Sequence, residues 1–138
     1  MYKTILVTLD GTPTDRAIIE HLKPLARMMQ SELVLLHVIT SAPAKFHGEN
    51  VAGSGVEQAQ AYLNRTQAEF AAAGIGAKTE LAYGDPVKEI VRRVHHKLCD
   101  LVAMSTHGHN FVADLVLGTT AIKVQHSISV PVLLLRAK

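Results

Sequence analysis

Ile5-Leu6-Val7-Thr8-Leu9-Asp10-Gly11-Thr12-Pro13-Thr14-Asp15 sets an apolar, β-branched run directly against a turn and the opening of a helix. The run from Ile5 to Leu9 lacks the polar alternation of a half-solvated strand, so it predicts a strand buried on both faces. Asp10-Gly11 ends it. Thr12 then offers an N-cap hydroxyl, Pro13 a first helical position and Asp15 a carboxylate at the third. Ile18, Leu22, Leu25 and Met29 follow at helical spacing. Pro24 lies inside that pattern and predicts a kink, at about 3 kcal/mol if its ring displaces a backbone hydrogen bond.

The same unit repeats outward from this stretch. Leu33 to Ile39 is a second apolar run, broken only by His37. After it, residues 40–55 are rich in glycine, and from Gly48 to Gly55 there is no apolar period, which predicts a loop. Ala59, Leu63, Thr66 and Phe70 share one helix face, and Gly74-Ile75-Gly76 closes that helix. A third strand is expected over Ala77 to Tyr83. Gly84-Asp85-Pro86 then caps a helix whose inner face is Val87, Ile90, Val91, Val94 and Leu98. Leu101 to Met104 reads as a fourth strand, Ser105 to Asn110 as a polar loop, Thr119 to His126 as a short helix and Val130 to Leu135 as a fifth strand. Strands that alternate with helices call for a parallel sheet with helices on both faces, and ligands of such sheets sit beyond the carboxyl ends of the strands.

At 138 residues the chain is long enough for one core and too short for two, so 1–138 is read as one domain. Hydrophobic residues at 48% and charged ones at 19% predict a compact fold rather than disorder. Fourteen Lys and Arg against twelve Asp and Glu, with no Trp, leave little basic or stacking surface, which argues against nucleic acid as a partner. No apolar run approaches the roughly 20 residues of a membrane-spanning helix, and Met1-Tyr2-Lys3-Thr4 leads straight into strand-like sequence without a secretory signal. With the lone Cys99 unable to form an internal disulfide, a cytoplasmic location and no membrane partner are expected. Cys99 itself reads as a small buried hydrophobe.

Chemistry is expected in the loops after the first and fourth strands, because both lead to helix N-termini, where free N–H groups favour phosphate. Gly108 and Gly118 frame the second loop, and Thr119 and Thr120 place two hydroxyls at the start of its helix. Spacing alone leaves phosphate binding and plain turn-and-cap duty both open. The histidine pairs His107/His109 and His95/His96 lack the companion ligands of a zinc site, so no metal site is expected from side chains. Ser105, His107 and Asp10 or Asp114 could be assembled into a hydrolase triad, but no Gly-x-Ser-x-Gly elbow occurs. Lys88, Arg92, Arg93, His95, His96 and Lys97 read as a solvated basic face, balanced in part by Glu89 four residues before Arg93.

Met104-Ser105-Thr106-His107-Gly108, Leu117-Gly118-Thr119-Thr120 and Val130-Pro131-Val132-Leu133-Leu134 together resemble the universal stress protein family. The opening Ile5 to Thr12 and Tyr83-Gly84-Asp85-Pro86 resemble it as well, so the likeness covers the whole chain. It implies a Rossmann-like α/β fold of the adenine nucleotide alpha hydrolase type, a five-stranded parallel sheet in the order 3-2-1-4-5. Nucleotide-binding relatives carry a spaced glycine pattern that falls here on Ser105, Gly108, Gly118 and Thr119, with serine in the first glycine's place. That serine narrows the backbone's freedom and offers a donor, which predicts weakened rather than abolished binding.

The resemblance further implies an adenine nucleotide, ATP or else AMP or ADP, with Mg²⁺ carried on the phosphates. Asp10 would reach the ribose or a phosphate-bound Mg²⁺ with Thr12 beside it. Backbone groups of Val38 and Ile39 would meet the adenine edge, and Met104 would pack on the base. Gly108, Gly118, Thr119 and Thr120 would cradle the phosphates, and Ser105 and His107 are counted with them among the nucleotide-binding residues. An exposed apolar edge from Val130 to Leu135 calls for something to cover it, and the resemblance implies a homodimer through that strand. The expected function is a regulatory stress-response dimer that binds ATP and hydrolyses it slowly if at all. The alternatives are a dimeric interaction module that needs no nucleotide, and a phosphoryl or nucleotidyl transferase of the same fold.

Overall fold

The computed structural model describes residues 1–39, 44–106 and 122–136. In chain order it runs β1 (Thr4–Thr8), α1 (Asp15–Met29), β2 (Glu32–Ile39), α2 (Ala44–Ala72), β3 (Ala77–Tyr83), α3 (Pro86–His96), β4 (Leu101–Thr106) and β5 (Val132–Arg136), with residues 122–127 also helical. The five strands form one parallel sheet in the order β3-β2-β1-β4-β5. The Rossmann-like α/β architecture and strand order expected from the sequence are the ones found.

Period-2 alternation divides the core between the two faces of the sheet. Ile5, Val7, Leu33 and Leu35 point to one side and pack with Ile18, Ile19 and Leu22 of α1 and Leu63 and Phe70 of α2. Leu6, Val34, Leu36, Val102 and Met104 point to the other and pack with Ile90 and Val94 of α3 and with Val124. Strand β1 sits between β2 and β4, and its Ile5, Leu6 and Val7 are wholly buried. This explains why the opening run carries no polar alternation.

Several local expectations are corrected. The glycine-rich stretch expected as a loop is helical from Ala44, within a 29-residue α2. No proline interrupts that sequence, and each glycine costs a helix only about 1 kcal/mol. Ser105 and Thr106 belong to β4 rather than to a loop, because pairing with Leu135 and Arg136 satisfies their backbone whatever their side chains. Strand β5 begins at Val132, two residues later than expected. Pro131 precedes it, and its carbonyl accepts from Val102 N–H at 3.0 Å. Helix α1 continues through Pro24 and begins at Asp15; its cap position is Thr14, which makes no side-chain capping bond. The Asp85 cap of α3 is as expected, with its carboxylate accepting from Lys88 N–H at 3.0 Å and Pro86 opening the helix.

Candidate functional site

Strands β1, β2 and β4 all run in the same direction, so their carboxyl ends gather at one edge of the sheet, and a cavity of about 210 Å³ opens there. The chain leaves β1 at Leu9 and turns sharply at Gly11, whose φ of +82° belongs to the left-handed region that favours glycine. That turn brings Asp10 to the cavity rim. The Asp10 carboxylate accepts from Thr12 N–H at 2.9 Å, from Thr12 Oγ1 at 2.6 Å and from Thr14 Oγ1 at 3.2 Å. The Thr12 hydroxyl, expected to cap α1, thus serves Asp10 instead.

Of the residues expected at a site, Asp10, Val38, Met104 and Ser105 line this one cavity, with Pro86 and Ile90 of α3 closing one wall. Thr12 and Ile39 are not on its wall; Thr12 supports Asp10 from behind. His107, Gly108, Gly118, Thr119 and Thr120 lie outside the described residues. Met104 is buried in the core at the cavity floor. Ser105 Oγ is shielded from solvent and has no hydrogen-bond partner among the described residues. A buried hydroxyl without a partner costs about 1–3 kcal/mol, a penalty that an arriving polar ligand relieves.

Two residues of the site escaped sequence reasoning. His37 lines the cavity from β2, and its Nδ1–H donates to the Leu9 carbonyl at 2.8 Å. A histidine interrupting an apolar strand run was the signal for it. Asp15 is the other, 1% exposed although it opens a helix. Its carboxylate turns back to the loop, accepting from Asp10 N–H at 3.1 Å, Gly11 N–H at 2.9 Å and Tyr62 Oη–H of α2 at 2.6 Å. Burial pushes its pKa up to about 6, with the Asp10 charge adding to the rise, while the Tyr62 hydroxyl and the two loop N–H groups hold it down. Burial and the Asp15 carboxylate together raise the Tyr62 phenol above its usual range. A second cavity of about 200 Å³ lies against α2, and Asp10, Gly11 and His37 line it together with Tyr62.

Elsewhere, helices α1 and α2 are clamped by Glu69, which receives Arg16 through its two terminal guanidinium nitrogens at 2.9 and 2.7 Å and Lys23 at 2.6 Å. Those cations lower its pKa to about 2. The basic run on α3 is tied down in part, Arg93 bridging Glu89 and Glu80 at 3.0 Å each. Cys99 is buried, and burial lifts its thiol to about 11. Among the described residues no three His, Cys, Asp or Glu side chains converge as metal ligands, and no helix is long and apolar enough to cross a membrane.

Residues 1–136 match the sequence profile of the universal stress protein family. Universal stress protein MJ0577 of Methanocaldococcus jannaschii is 26% identical over 157 residues, spanning 100% of this chain and 97% of that protein. The solved structure of MJ0577 superposes with a TM-score of 0.87 at 26% identity, over 100% of this chain and 98% of that one. A universal stress protein solved in complex with cAMP gives 0.72 at 19% identity, over 99% of this chain and 98% of the other. One from Archaeoglobus fulgidus in complex with dAMP gives 0.70 at 14% identity, over 96% and 97%. At these lower identities the likeness of the two complexes is one of fold.

Proposed function

This chain belongs to the universal stress protein family, and from that premise we propose that it binds an adenine nucleotide, ATP or its AMP and ADP relatives, at the carboxyl ends of β1, β2 and β4. The observation that carries this reading is the convergence of Asp10, Val38, Met104 and Ser105 on one cavity, the place where open parallel sheets take ligands. The same fold holds cAMP in one solved protein and dAMP in another.

The parts suit the pieces of a nucleotide. A volume of about 210 Å³ is below the roughly 300–1,000 Å³ of a site that encloses a whole drug-sized ligand, and matches a single ring system. The base packs on Met104 and Ile90 and meets the backbone at Val38. Asp10, held by Thr12 and Thr14, accepts from the ribose hydroxyls or faces Mg²⁺ on the phosphates. The Ser105 hydroxyl, without a partner among the described residues, gains one where the family's pattern has a glycine. By the same family likeness Gly108, Gly118, Thr119 and Thr120 take the phosphates, with His107 beside Gly108 in sequence. Mg²⁺ travels with the nucleotide, screening its phosphate charge.

Turnover is slow or absent. The Asp15 carboxylate is occupied by two N–H groups and a phenol, so it does not stand ready as a general base for water. The protein works as a cytoplasmic homodimer in stress regulation. Edge strand β5, with Leu134 42% exposed, meets its own copy about a two-fold axis.

Amide chemical shifts recorded during titration with Mg²⁺ and ATP test the placement. Asp10, Gly11, Val38, Ile39, Met104 and Ser105 shift together in a saturable way on this account. Shifts confined to another face, or none, would remove it in favour of a nucleotide-independent interaction module.

A further inference from the structure

Asp15 is an unusual group to find at the head of a helix. A carboxylate in the first turn commonly stays near solvent and serves the helix's own N–H groups, whereas this one is 1% exposed and accepts from the preceding loop. Taking a carboxylate out of water is costly unless its acceptors are filled, and here three donors fill them: Asp10 N–H, Gly11 N–H and Tyr62 Oη–H. Tyr62 comes from α2, 47 residues along the chain. The two N–H groups belong to the turn that aims the Asp10 carboxylate, and Thr12 and Thr14 hold that carboxylate from the other end. The backbone and the side chain of Asp10 are therefore held by two distinct sets of bonds, and Tyr62 of α2 joins the backbone set through Asp15.

We propose that Asp15 and Tyr62 are positioning residues, a buried link through which α2 holds the Asp10–Gly11 turn and so sets how strongly the site prefers ribose over 2′-deoxyribose. The inference rests on the adenine-nucleotide reading. Asp10 is the acceptor for ribose hydroxyls, and a hydrogen bond to a carboxylate loses strength steeply with misalignment. Loosening the turn costs the bond to the 2′-hydroxyl and leaves base and phosphate contacts in place.

Calorimetric affinities for ATP and 2′-deoxy-ATP, measured for the wild type, Tyr62→Phe and Asp15→Asn, test this. Tyr62→Phe keeps the ring and removes only the donor, so it stays informative if Asp15→Asn fails to fold. The wild type is expected to prefer ATP, and Tyr62→Phe to lower that preference about threefold or more, the scale of a weakened charge-assisted hydrogen bond, while its affinity for 2′-deoxy-ATP changes by less than about twofold. A merely structural link lowers both affinities together and leaves the ratio alone, which overturns the inference. So does a wild type that binds both equally, or a ratio unchanged by Tyr62→Phe. A wild type that binds neither nucleotide overturns the nucleotide reading as well.

Discussion

His37 donates from Nδ1 to the Leu9 carbonyl at 2.8 Å. Leu9 N–H in turn donates to the Leu36 carbonyl at 2.9 Å, so the imidazole adds one more rung where the ladder between β1 and β2 runs out. The strand exit that carries Asp10 is thereby tied to β2. His37→Leu fills similar space without the donor and leaves a carbonyl unpaired, so it is expected to cost about 1–2 kcal/mol in denaturant unfolding and to weaken nucleotide binding. Unchanged stability together with unchanged affinity would show that the rung does not hold the turn.

Ser105 Oγ is buried without a hydrogen-bond partner among the described residues. Ser105→Ala removes an unmet hydroxyl, and the nucleotide-free protein should be as stable as the wild type or gain up to about 1 kcal/mol. Nucleotide affinity should fall several-fold, because the hydroxyl finds its partner in the ligand. A loss of stability without a change in affinity contradicts both halves.

Glu69 carries a pH dependence whose sign follows from its cations. Its carboxyl is held down at about 2, so the stability it contributes is complete above its ordinary pKa of 4.5 and drains away as pH falls from 4.5 through 2. Its side chain is 31% exposed and Arg16 is more open still, so solvent screening reduces the contribution to about 1 kcal/mol. Asp15 acts in the opposite sense, adding stability below pH 3.8 that is lost as pH rises through about 6, but it is common to both proteins in a comparison with Glu69→Gln. The wild type should lose its advantage over Glu69→Gln between pH 5 and pH 2, read from urea unfolding at each pH; a constant difference would refute the clamp.

Leu134 stands 42% exposed on the edge strand. A charge there opposes an apolar contact between two copies, so Leu134→Asp should convert a dimer to a folded monomer in sedimentation, with circular dichroism unchanged. A wild type already monomeric at micromolar concentration refutes the edge-strand dimer.

The alternation of strand and helix was legible because apolar runs and helical periods speak for themselves locally. Ile5 to Val7, fully buried in the centre of the sheet, advertise that position by lacking polar neighbours. The first part of α2 was not legible, since Gly48, Gly53 and Gly55 and the lack of an apolar face argue for a loop. In the candidate site, the strand ends point to the loops after β1 and β4 and the family likeness picks out Asp10 and Met104, but the Asp15–Tyr62 bond joins residues 47 apart, and no local pattern encodes such a pairing. His37 announced itself only as a blemish in a strand.

Calorimetric titration of the purified, nucleotide-free protein with ATP, with and without Mg²⁺, addresses the central claim most directly. The account predicts saturable heat at one site per chain with a micromolar or tighter Kd, about 8 kcal/mol of binding free energy. No detectable heat from folded, nucleotide-free protein would contradict it and leave the dimeric interaction module as the function to pursue.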